Sequence, residues 1–436
     1  MVVTGRHDAA IRAALAEDPA IRELDVEWVA APEARSEGDA VRAARSFVHQ
    51  DFLLVSGDRV FAPAVVRRLV EAPIRGVTVA ADRSEGRPSD AGLGLDVAPD
   101  GRVTGVSSDG RAATWIGLAA CDTVLFDVLD LFLEPEAPAD LGEALGRLAR
   151  VGGVRVLDAS GCWWQVLRSR ADRRRANRLL LEALRKPEVD GVVARHVNRH
   201  FSLFVTRLVM GTGVRPNHVT TVTLLLSILA AVVAALAEPG RAWMLGAAAV
   251  LWQLVSMLDG TDGELARLKF QTSRAGEWFD TVVDDAGRVM IFLGLGYGFS
   301  VVSGQPLWWP LMIAVVAMQV AVNVQLYRAL LSLGAGSHYA LAWTTDRNRP
   351  VRENLGTRIW KRIEFLARRD CYIFELMLLT LVGLLPLALS LAACTTFLVF
   401  VHELLHPRTP RTRDVVQAVL VRDDHAAQVE SLPARG

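Results

Sequence analysis

The sequence predicts a protein of two parts: an α/β domain, followed by an all-α polytopic membrane domain of about six transmembrane helices. Two observations lead to this prediction. Short apolar segments alternate with helical segments over residues 1–185, a pattern that is typical of a sheet covered by helices. Long apolar runs follow from residue 216 onward, and each is close to the ~20 residues that a helix needs to cross a bilayer.

The composition agrees with this division. The 436 residues are 51% hydrophobic and 22% charged, a mixture that is too apolar for an ordinary soluble protein and too charged for a wholly embedded one. Charged residues are concentrated before Arg215, so the net charge of zero averages over two unlike halves and indicates no partner. We expect no nucleic-acid partner.

The first domain begins with clear strand and helix signals. Residues 51–58, DFLLVSGD, predict a strand that ends at Asp58; residues 61–72 have helical periodicity; and residues 76–82, GVTVAAD, predict another strand. We expect a parallel sheet with Asp58 at the carboxyl end of a strand, where such sheets place ligands.

The segment FLLVSGDRVFAP resembles the strand and metal-binding acid of sugar-nucleotide nucleotidyltransferases, and the resemblance extends over roughly residues 2–184. Two features depart from that family. The chain opens with MVVTGRHD in place of the Gly-rich phosphate loop, and Gln165 and Leu167 stand where the second acidic pair is expected. We therefore predict that residues 1–185 form a nucleotidyltransferase-like domain that has lost catalysis.

Residues 186–215 predict an amphipathic juxtamembrane segment that lies on membrane lipid. The alternative is a soluble helix packed on the first domain. Its predicted apolar face comprises Phe201, Leu203, Phe204, Leu208 and Val209, beside Arg195, Arg199 and Arg207.

The membrane domain is predicted over residues 216–406. Spans are expected at residues 219–237, 242–258, 278–302, 307–333 and 371–405, and the last run is long enough for two helices broken at residues 383–386. Arginines crowd the loop at residues 347–369 and the tail at 407–436. By the positive-inside rule, both termini and the N-terminal domain face the cytoplasm, and the protein is a multi-pass component of the cell (inner or plasma) membrane.

Four acids lie where the second and third predicted spans approach each other: Asp259 and Asp262 follow the second span, and Asp280 and Asp284 lie in the first half of the third. Each pair, spaced three or four residues apart, shares one helix face. Ionisable groups among membrane segments are costly and usually functional. Two such faces could hold hard divalent cations, with Mg²⁺ or Mn²⁺ favoured by the oxygen ligands.

The stretch fits D-x-x-D-G-x-x-A-R-x8-G-x-x-x-D-x-x-x-D at every fixed position and resembles the signature of the CDP-alcohol phosphotransferase family. The resemblance implies that a CDP-alcohol donates its phospho-alcohol group to an acceptor hydroxyl and that CMP leaves. It also implies a two-metal site on the four acids, with Asp284 as the catalytic base. The residues assigned to the CDP moiety are Gly263, Ala266, Arg267 and Gly276, together with Asn217 and Thr220 at the entry to the first span.

The junction DGVVARHVNRHFS, residues 190–202, resembles fused cytidylyltransferase/phosphotransferase proteins that make di-myo-inositol phosphate. The resemblance implies a CDP-inositol-like donor and a phosphorylated polyol acceptor. Two alternatives stay open: a phospholipid synthase using CDP-diacylglycerol, and a membrane-anchored nucleotidyltransferase. A homodimer is also left open. The candidate acceptor-binding residues are Arg195, Arg199, Arg207, Arg215, Arg288, Arg328, Arg368 and Arg369.

Overall fold

The computed structural model describes residues 1–16, 25–74, 76–84, 92–107, 112–131, 139–185, 190–337 and 368–405. These residues fall into two compact units, one ending at Ala183 and the other beginning at Leu184. The predicted tail at 407–436 and the loop arginines at 347–362 lie outside the described residues.

The first unit mixes strands and helices, which confirms the α/β class. Its strands are β1 (Val2–Thr4), β2 (Trp28–Ala30), β3 (Phe52–Val55), β4 (Arg59–Phe61), β5 (Val77–Asp82), β6 (Gly94–Val97), β7 (Val103–Ser107), β8 (Ala113–Cys121), β9 (Val154–Asp158) and β10 (Trp164–Val166). Its helices are α1 (Asp8–Ala16), α2 (Glu37–Ala43), α3 (Pro63–Glu71), α4 (Val124–Leu131), α5 (Leu141–Arg150) and α6 (Arg170–Ala183). The strands expected at 51–58 and 76–82 and the helix expected at 61–72 are present as β3, β5 and α3.

The main sheet has the order β7-β6-β8-β5-β9, with β3 also paired to β8. The prediction of a parallel sheet is wrong, because β8 runs antiparallel to β3, β5 and β6, and only β5 and β9 pair in parallel within this sheet. The physical reason is the connection between strands. β6 and β7 are joined by a tight turn in which Gly101 adopts a φ of 83°, and such a hairpin needs no crossover helix.

The sheet separates two apolar clusters. Along β5, Val77 and Val79 face the cluster formed with α4 and α5, whereas Ala80 faces the cluster formed with α3. This alternation follows from the two-residue period of a strand. Because both faces are covered, every residue of β5 is buried.

The second unit is helical throughout its described part. A short π-helix at Ala194–Asn198 and a 3₁₀ turn at Pro239–Arg241 accompany eight α-helices. These are α7 (Arg199–Val209), α8 (Pro216–Ala235), α9 (Trp243–Leu258), α10 (Gly260–Leu268), α11 (Arg274–Ser303), α12 (Trp308–Leu333), α13 (Arg369–Leu381) and α14 (Leu385–Leu405).

Five helical segments in the described chain are long and apolar enough to cross a membrane, with α9 and α10 counted as one continuous span. The sixth predicted span is the short helix α13. Its 13 residues extend only about 20 Å at 1.5 Å per residue, less than the ~30 Å of hydrocarbon in a bilayer. The expected break between the last two helices is present, and Gly383 there has a φ of 79°.

Close packing holds α11 against α8. A Cβ at Gly294 would lie 2.4 Å from the Ala231 carbonyl oxygen, and one at Gly298 would lie 1.9 Å from that of Ala234. Only glycine permits this approach of the two backbones. The packing therefore fixes α11, which carries two of the motif acids, beside the first span.

Helix α7, which lies in the segment predicted to be juxtamembrane, presents two different faces. Ser202, Leu203 and Thr206 are buried within the unit, whereas Phe204 and Leu208 are 58% and 62% exposed. The apolar face expected from the sequence is therefore divided, because Leu203 packs into the protein and Phe204 and Leu208 remain outside it.

Candidate active site

Three of the four motif acids converge. Asp259, Asp280 and Asp284 each offer a carboxylate oxygen, and these oxygens lie within 4.8 Å of one another. The hairpin of α10 and α11 causes this convergence: α10 ends near Phe270, whose φ of 52° is left-handed, and Ser273 caps α11 by accepting from the Gly276 amide at 3.0 Å.

Asp262 is held differently. Its Oδ2 accepts from the Thr220 hydroxyl at 2.6 Å, and its Oδ1 accepts from the Gly263 amide at 2.6 Å. Thr220, which the sequence assigned to donor binding, therefore orients Asp262 from the first span. Asp262 is 6% exposed and lies outside the convergent group of three, but close enough to interact with Asp280.

Arg369 at the start of α13 contacts the acidic group directly. Its guanidinium donates to both carboxylate oxygens of Asp284, with 2.7 Å from Nη2 to Oδ1, and Nη2 lies 3.4 Å from Asp259 Oδ1. Arg369, one of the candidate acceptor-binding arginines, therefore contacts the motif acids. One guanidinium thus contacts two of the three convergent carboxylates.

The remaining motif residues line the same hairpin. A Cβ at Gly263 would lie 3.5 Å from Arg267 Nη1, and one at Gly276 would lie 3.1 Å from Ser273 Oγ and 3.7 Å from Asn217 Oδ1. Ala266, Arg267 and Gly276 are partly exposed, and Asn217 is exposed. Asn217 and Gly276 are therefore neighbours, although 59 positions separate them in the chain.

Arg199 has a different place from the one expected. Its Nε and Nη2 bind Asp190 at 2.8 and 2.9 Å, and its Nη1 binds Glu264 at 2.8 Å. Burial by itself would lower the pKa of Arg199, but the hydrogen bonds and charges of Asp190 and Glu264 raise that pKa above its ordinary value. Its side chain is thus held by two carboxylates of the protein, and binding of an acceptor by Arg199 stays a prediction.

A second polar cluster fixes the far side of α11. Tyr327 on α12 donates to Asp285 Oδ2 at 2.7 Å, and Arg288 Nη1 lies 3.6 Å from Asp285 Oδ1. One turn earlier, the Thr281 hydroxyl donates to the Gly336 carbonyl at 2.9 Å. Arg288 is thereby paired with the residue that follows Asp284.

The donor set fits a hard divalent cation. Three carboxylates converge and a fourth adjoins them, and carboxylate oxygens are the ligands that Mg²⁺, Mn²⁺ and Ca²⁺ prefer. Burying even one carboxylate in a membrane segment has a high free-energy cost, so a cluster of carboxylates needs positive charge to compensate it.

Among the described residues of the first unit, the place beside Asp58 where a second acid is expected holds Leu167. The backbone amide of Leu167 donates to the Asp58 carbonyl at 2.7 Å, so Leu167 lies beside Asp58. This agrees with the sequence analysis, in which Leu167 stands where an acid is expected. The Asp58 side chain is about half exposed and pairs with Arg59 at 3.3 Å. The Gln165 amide donates to the Val166 carbonyl.

The membrane unit matches a known family. Residues 214–357 match the family model described as CDP-alcohol phosphatidyltransferase, and this range includes all four motif acids. This part of the chain is similar to CDP-alcohol phosphatidyltransferases. The match confirms the resemblance to this family that the sequence of residues 259–284 predicted.

Two proteins to which the chain is similar are named "Bifunctional IPC transferase and DIPP synthase". The protein from Thermococcus kodakarensis is 32% identical over 267 residues, which are 60% of this chain and 58% of that protein. The protein from Archaeoglobus fulgidus is 30% identical over 254 residues, which are 57% of this chain and 48% of that protein. The chain thus spans about half the length of the curated relatives it matches.

Among solved structures, the inositol-1-phosphate CTP transferase from T. maritima is similar to the chain, with 15% identity and a TM-score of 0.33. The similarity covers 39% of this chain and 70% of that one. The α/β class of the first unit rests on its own strand order and not on this similarity.

Sequence reasoning missed Glu264 and Tyr327. Glu264 is fully buried although it is a charged residue in a variable position of the motif. The one available signal was the spacing of Arg199, Ser202 and Thr206, which places three donors on one face of α7.

Proposed function

We propose that the membrane unit transfers a phospho-alcohol group from a CDP-alcohol to a hydroxyl of a phosphorylated polyol, with release of CMP. The observation that carries the proposal is the convergence of Asp259, Asp280 and Asp284 within a region that matches the CDP-alcohol phosphatidyltransferase family. The names of the relatives support a transferase of this class.

Asp259, Asp262, Asp280 and Asp284 are the residues proposed to hold Mg²⁺ or Mn²⁺ as a two-metal site. A bound divalent cation would neutralise the pyrophosphate of the donor and stabilise the charge that develops during phosphoryl transfer. Asp262 enters this set through its hydrogen bonds to Thr220 and Gly263, which fix its carboxylate on the side of Asp280.

Other residues of the motif are proposed to bind the donor nucleotide. Arg267 offers a fixed positive charge to the donor pyrophosphate, beside Gly263 and Ala266, whose small side chains leave room for the nucleotide. Asn217 and Gly276 lie on the other side of the hairpin and are assigned to the same nucleotide.

The acceptor hydroxyl is a weak nucleophile and needs a base within hydrogen-bond reach. We assign that base to Asp284. The oxygen of the hydroxyl bonds to the phosphorus that carries the alcohol, the bond from that phosphorus to the bridging oxygen breaks, CMP keeps that oxygen, and Asp284 takes the hydroxyl proton.

Arg369 is the residue that we assign to the acceptor's phosphate. It already lies at 2.7 Å from Asp284, so a phosphate on Arg369 would bring the rest of the acceptor close to the proposed base. A guanidinium suits phosphate because its planar fork binds two oxygens at once.

The protein is placed in the cell (inner or plasma) membrane with its termini and the acidic group on the cytoplasmic side. Five spans and the family match support a membrane location. The orientation rests on the arginine-rich loop and tail of the sequence.

The test uses purified protein in detergent with Mg²⁺, a phosphorylated polyol and two donors in competition, CDP-inositol and CDP-diacylglycerol. We expect CMP release that requires both donor and acceptor, and a product that stays in the aqueous phase on organic extraction. A product in the organic phase would replace the soluble donor by a lipid donor. No CMP from either donor would contradict the proposal.

A further inference from the structure

A buried ion-pair cluster joins the juxtamembrane helix α7 to the motif helix α10. Glu264 on α10 is fully buried, and its Oε1 accepts from Arg199 Nη1 at 2.8 Å and from the Ser202 hydroxyl at 2.7 Å. Its Oε2 accepts from the Thr206 hydroxyl at 2.6 Å. All three donors come from one face of α7, so Glu264 is satisfied entirely by that helix.

The cluster extends through Arg199 to the start of the unit. Arg199 also binds Asp190 with two hydrogen bonds of 2.8 and 2.9 Å, and its side chain is only 15% exposed. Buried charges of this kind are costly to leave without a partner, because the remaining charge cannot regain its hydration. The arrangement therefore holds α7 against α10 in one defined position.

The helix that receives this contact is poorly suited to hold its own orientation. It contains Gly263 in its interior, and a glycine there costs roughly 1 kcal/mol of helix stability relative to alanine. A Cβ at Gly260 would lie 3.1 Å from Arg199 Nη1, so the guanidinium also lies against the backbone immediately after Asp259.

Glu264 and the motif acid Asp262 point to different neighbours. Asp262 is directed to Thr220 on α8, whereas Glu264, two residues later, is directed to α7. Fixing Glu264 therefore fixes the rotation of α10 about its axis, and with it the direction in which Asp262 and the adjoining Asp259 project.

We propose that Glu264, Arg199 and Thr206 act as positioning residues, through which the juxtamembrane helix sets the orientation of the metal-binding acids. This inference rests on the proposed function for the identity of those acids. Partners that orient metal ligands commonly contribute about 10- to 100-fold to metal affinity. None of the three residues is proposed to touch the cation or a substrate.

The test compares two substitutions of the same kind in the full-length protein. Thr206→Val removes a buried hydroxyl that donates to Glu264, and Thr380→Val removes a buried hydroxyl that donates only to the Leu376 carbonyl of its own helix at 2.6 Å. Mn²⁺ binding is titrated by electron paramagnetic resonance without any CDP-alcohol, and thermal unfolding in detergent is measured on the same samples. Glu264→Gln is a third variant.

We expect Thr206→Val to weaken Mn²⁺ binding by about tenfold and Glu264→Gln by more, while Thr380→Val binds as the unaltered protein does. Thr206→Val should melt at a lower temperature than Thr380→Val, because one carboxylate oxygen of the buried Glu264 loses its donor. Mn²⁺ binding is therefore compared well below both melting temperatures, and equal Mn²⁺ affinity in Thr206→Val and Thr380→Val under those conditions would overturn the inference.

If Glu264→Gln does not fold, the threonine pair still decides the inference. A separate result would count against the proposed function: an unaltered protein that binds no Mn²⁺ would refute the metal site itself. That outcome is distinct from a metal site that binds normally and is indifferent to Thr206.

Discussion

Replacing Asp280 by asparagine tests the acidic group most sharply, because the shape of the side chain is kept and one charge is removed. In the structure, Asp280 is one of three acids whose carboxylate oxygens lie within 4.8 Å of one another, opposite the single guanidinium of Arg369. The variant leaves two carboxylates facing that guanidinium. A divalent cation would then meet one negative charge fewer.

The expected loss can be estimated from this change. A metal that stabilises a phosphoryl-transfer transition state contributes several kcal/mol, and a loss of about 4 kcal/mol corresponds to roughly a thousandfold in rate at 1.36 kcal/mol per decade. We therefore expect CMP formation by Asp280→Asn to fall by about three orders of magnitude. The assay follows CMP release at saturating donor, acceptor and Mg²⁺.

Asp58→Asn is the matched control, because it removes an equivalent charge from the α/β unit. Asp58 is about half exposed and pairs with Arg59 only at 3.3 Å, so its loss should leave CMP formation within twofold of the unaltered protein. Similar losses in both folded variants would refute the assignment of activity to the membrane unit. Full activity in Asp280→Asn would refute the role of the acidic group.

Three further predictions follow from the same site. Arg369→Gln should raise the KM for the phosphorylated acceptor by about 10- to 100-fold, because hydrogen bonds to charged groups contribute roughly 1.5–3 kcal/mol. Initial-rate kinetics measure the KM for acceptor and donor separately. An equal rise in the KM for the CDP-alcohol would contradict the assignment of Arg369 to the acceptor. Excess EDTA should abolish CMP formation and added Mg²⁺ or Mn²⁺ should restore it, so full turnover in chelator would eliminate a metal mechanism. The full-length Asp280→Asn protein should release no pyrophosphate when it is given CTP and a phospho-alcohol, because Leu167 lies beside Asp58 where a second acid is expected. Pyrophosphate above background would show that the first unit is active.

The spans and the meeting of the acids could be predicted from sequence because both are local properties. Apolar run length gives the spans, and a short hairpin between two helices brings Asp259 close to Asp280 and Asp284 whatever the rest of the chain does. The spacing of the acids also selects one helix face.

The partners of the arginines could not be predicted in the same way. Arg199 and Arg369 look alike in sequence, but Arg199 lies between the carboxylates of Asp190 and Glu264, whereas Arg369 reaches the motif acids. Glu264 is 65 positions from Arg199 in the chain, and Asp284 is 85 positions from Arg369. Local periodicity cannot predict contacts over such separations. The direction of β8 was missed for a related reason, since strand pairing depends on connections that apolar patterning does not reveal.

The most direct measurement of the proposed reaction follows the phosphorus that carries the alcohol. A CDP-alcohol labelled at that phosphorus is incubated with the purified protein, Mg²⁺ and a phosphorylated polyol, and the products are separated and counted. We predict that the label appears in a phosphodiester joining the two alcohols, with an equal amount of unlabelled CMP. Label recovered in free phospho-alcohol, in CDP or in unreacted donor alone would contradict transfer between alcohols.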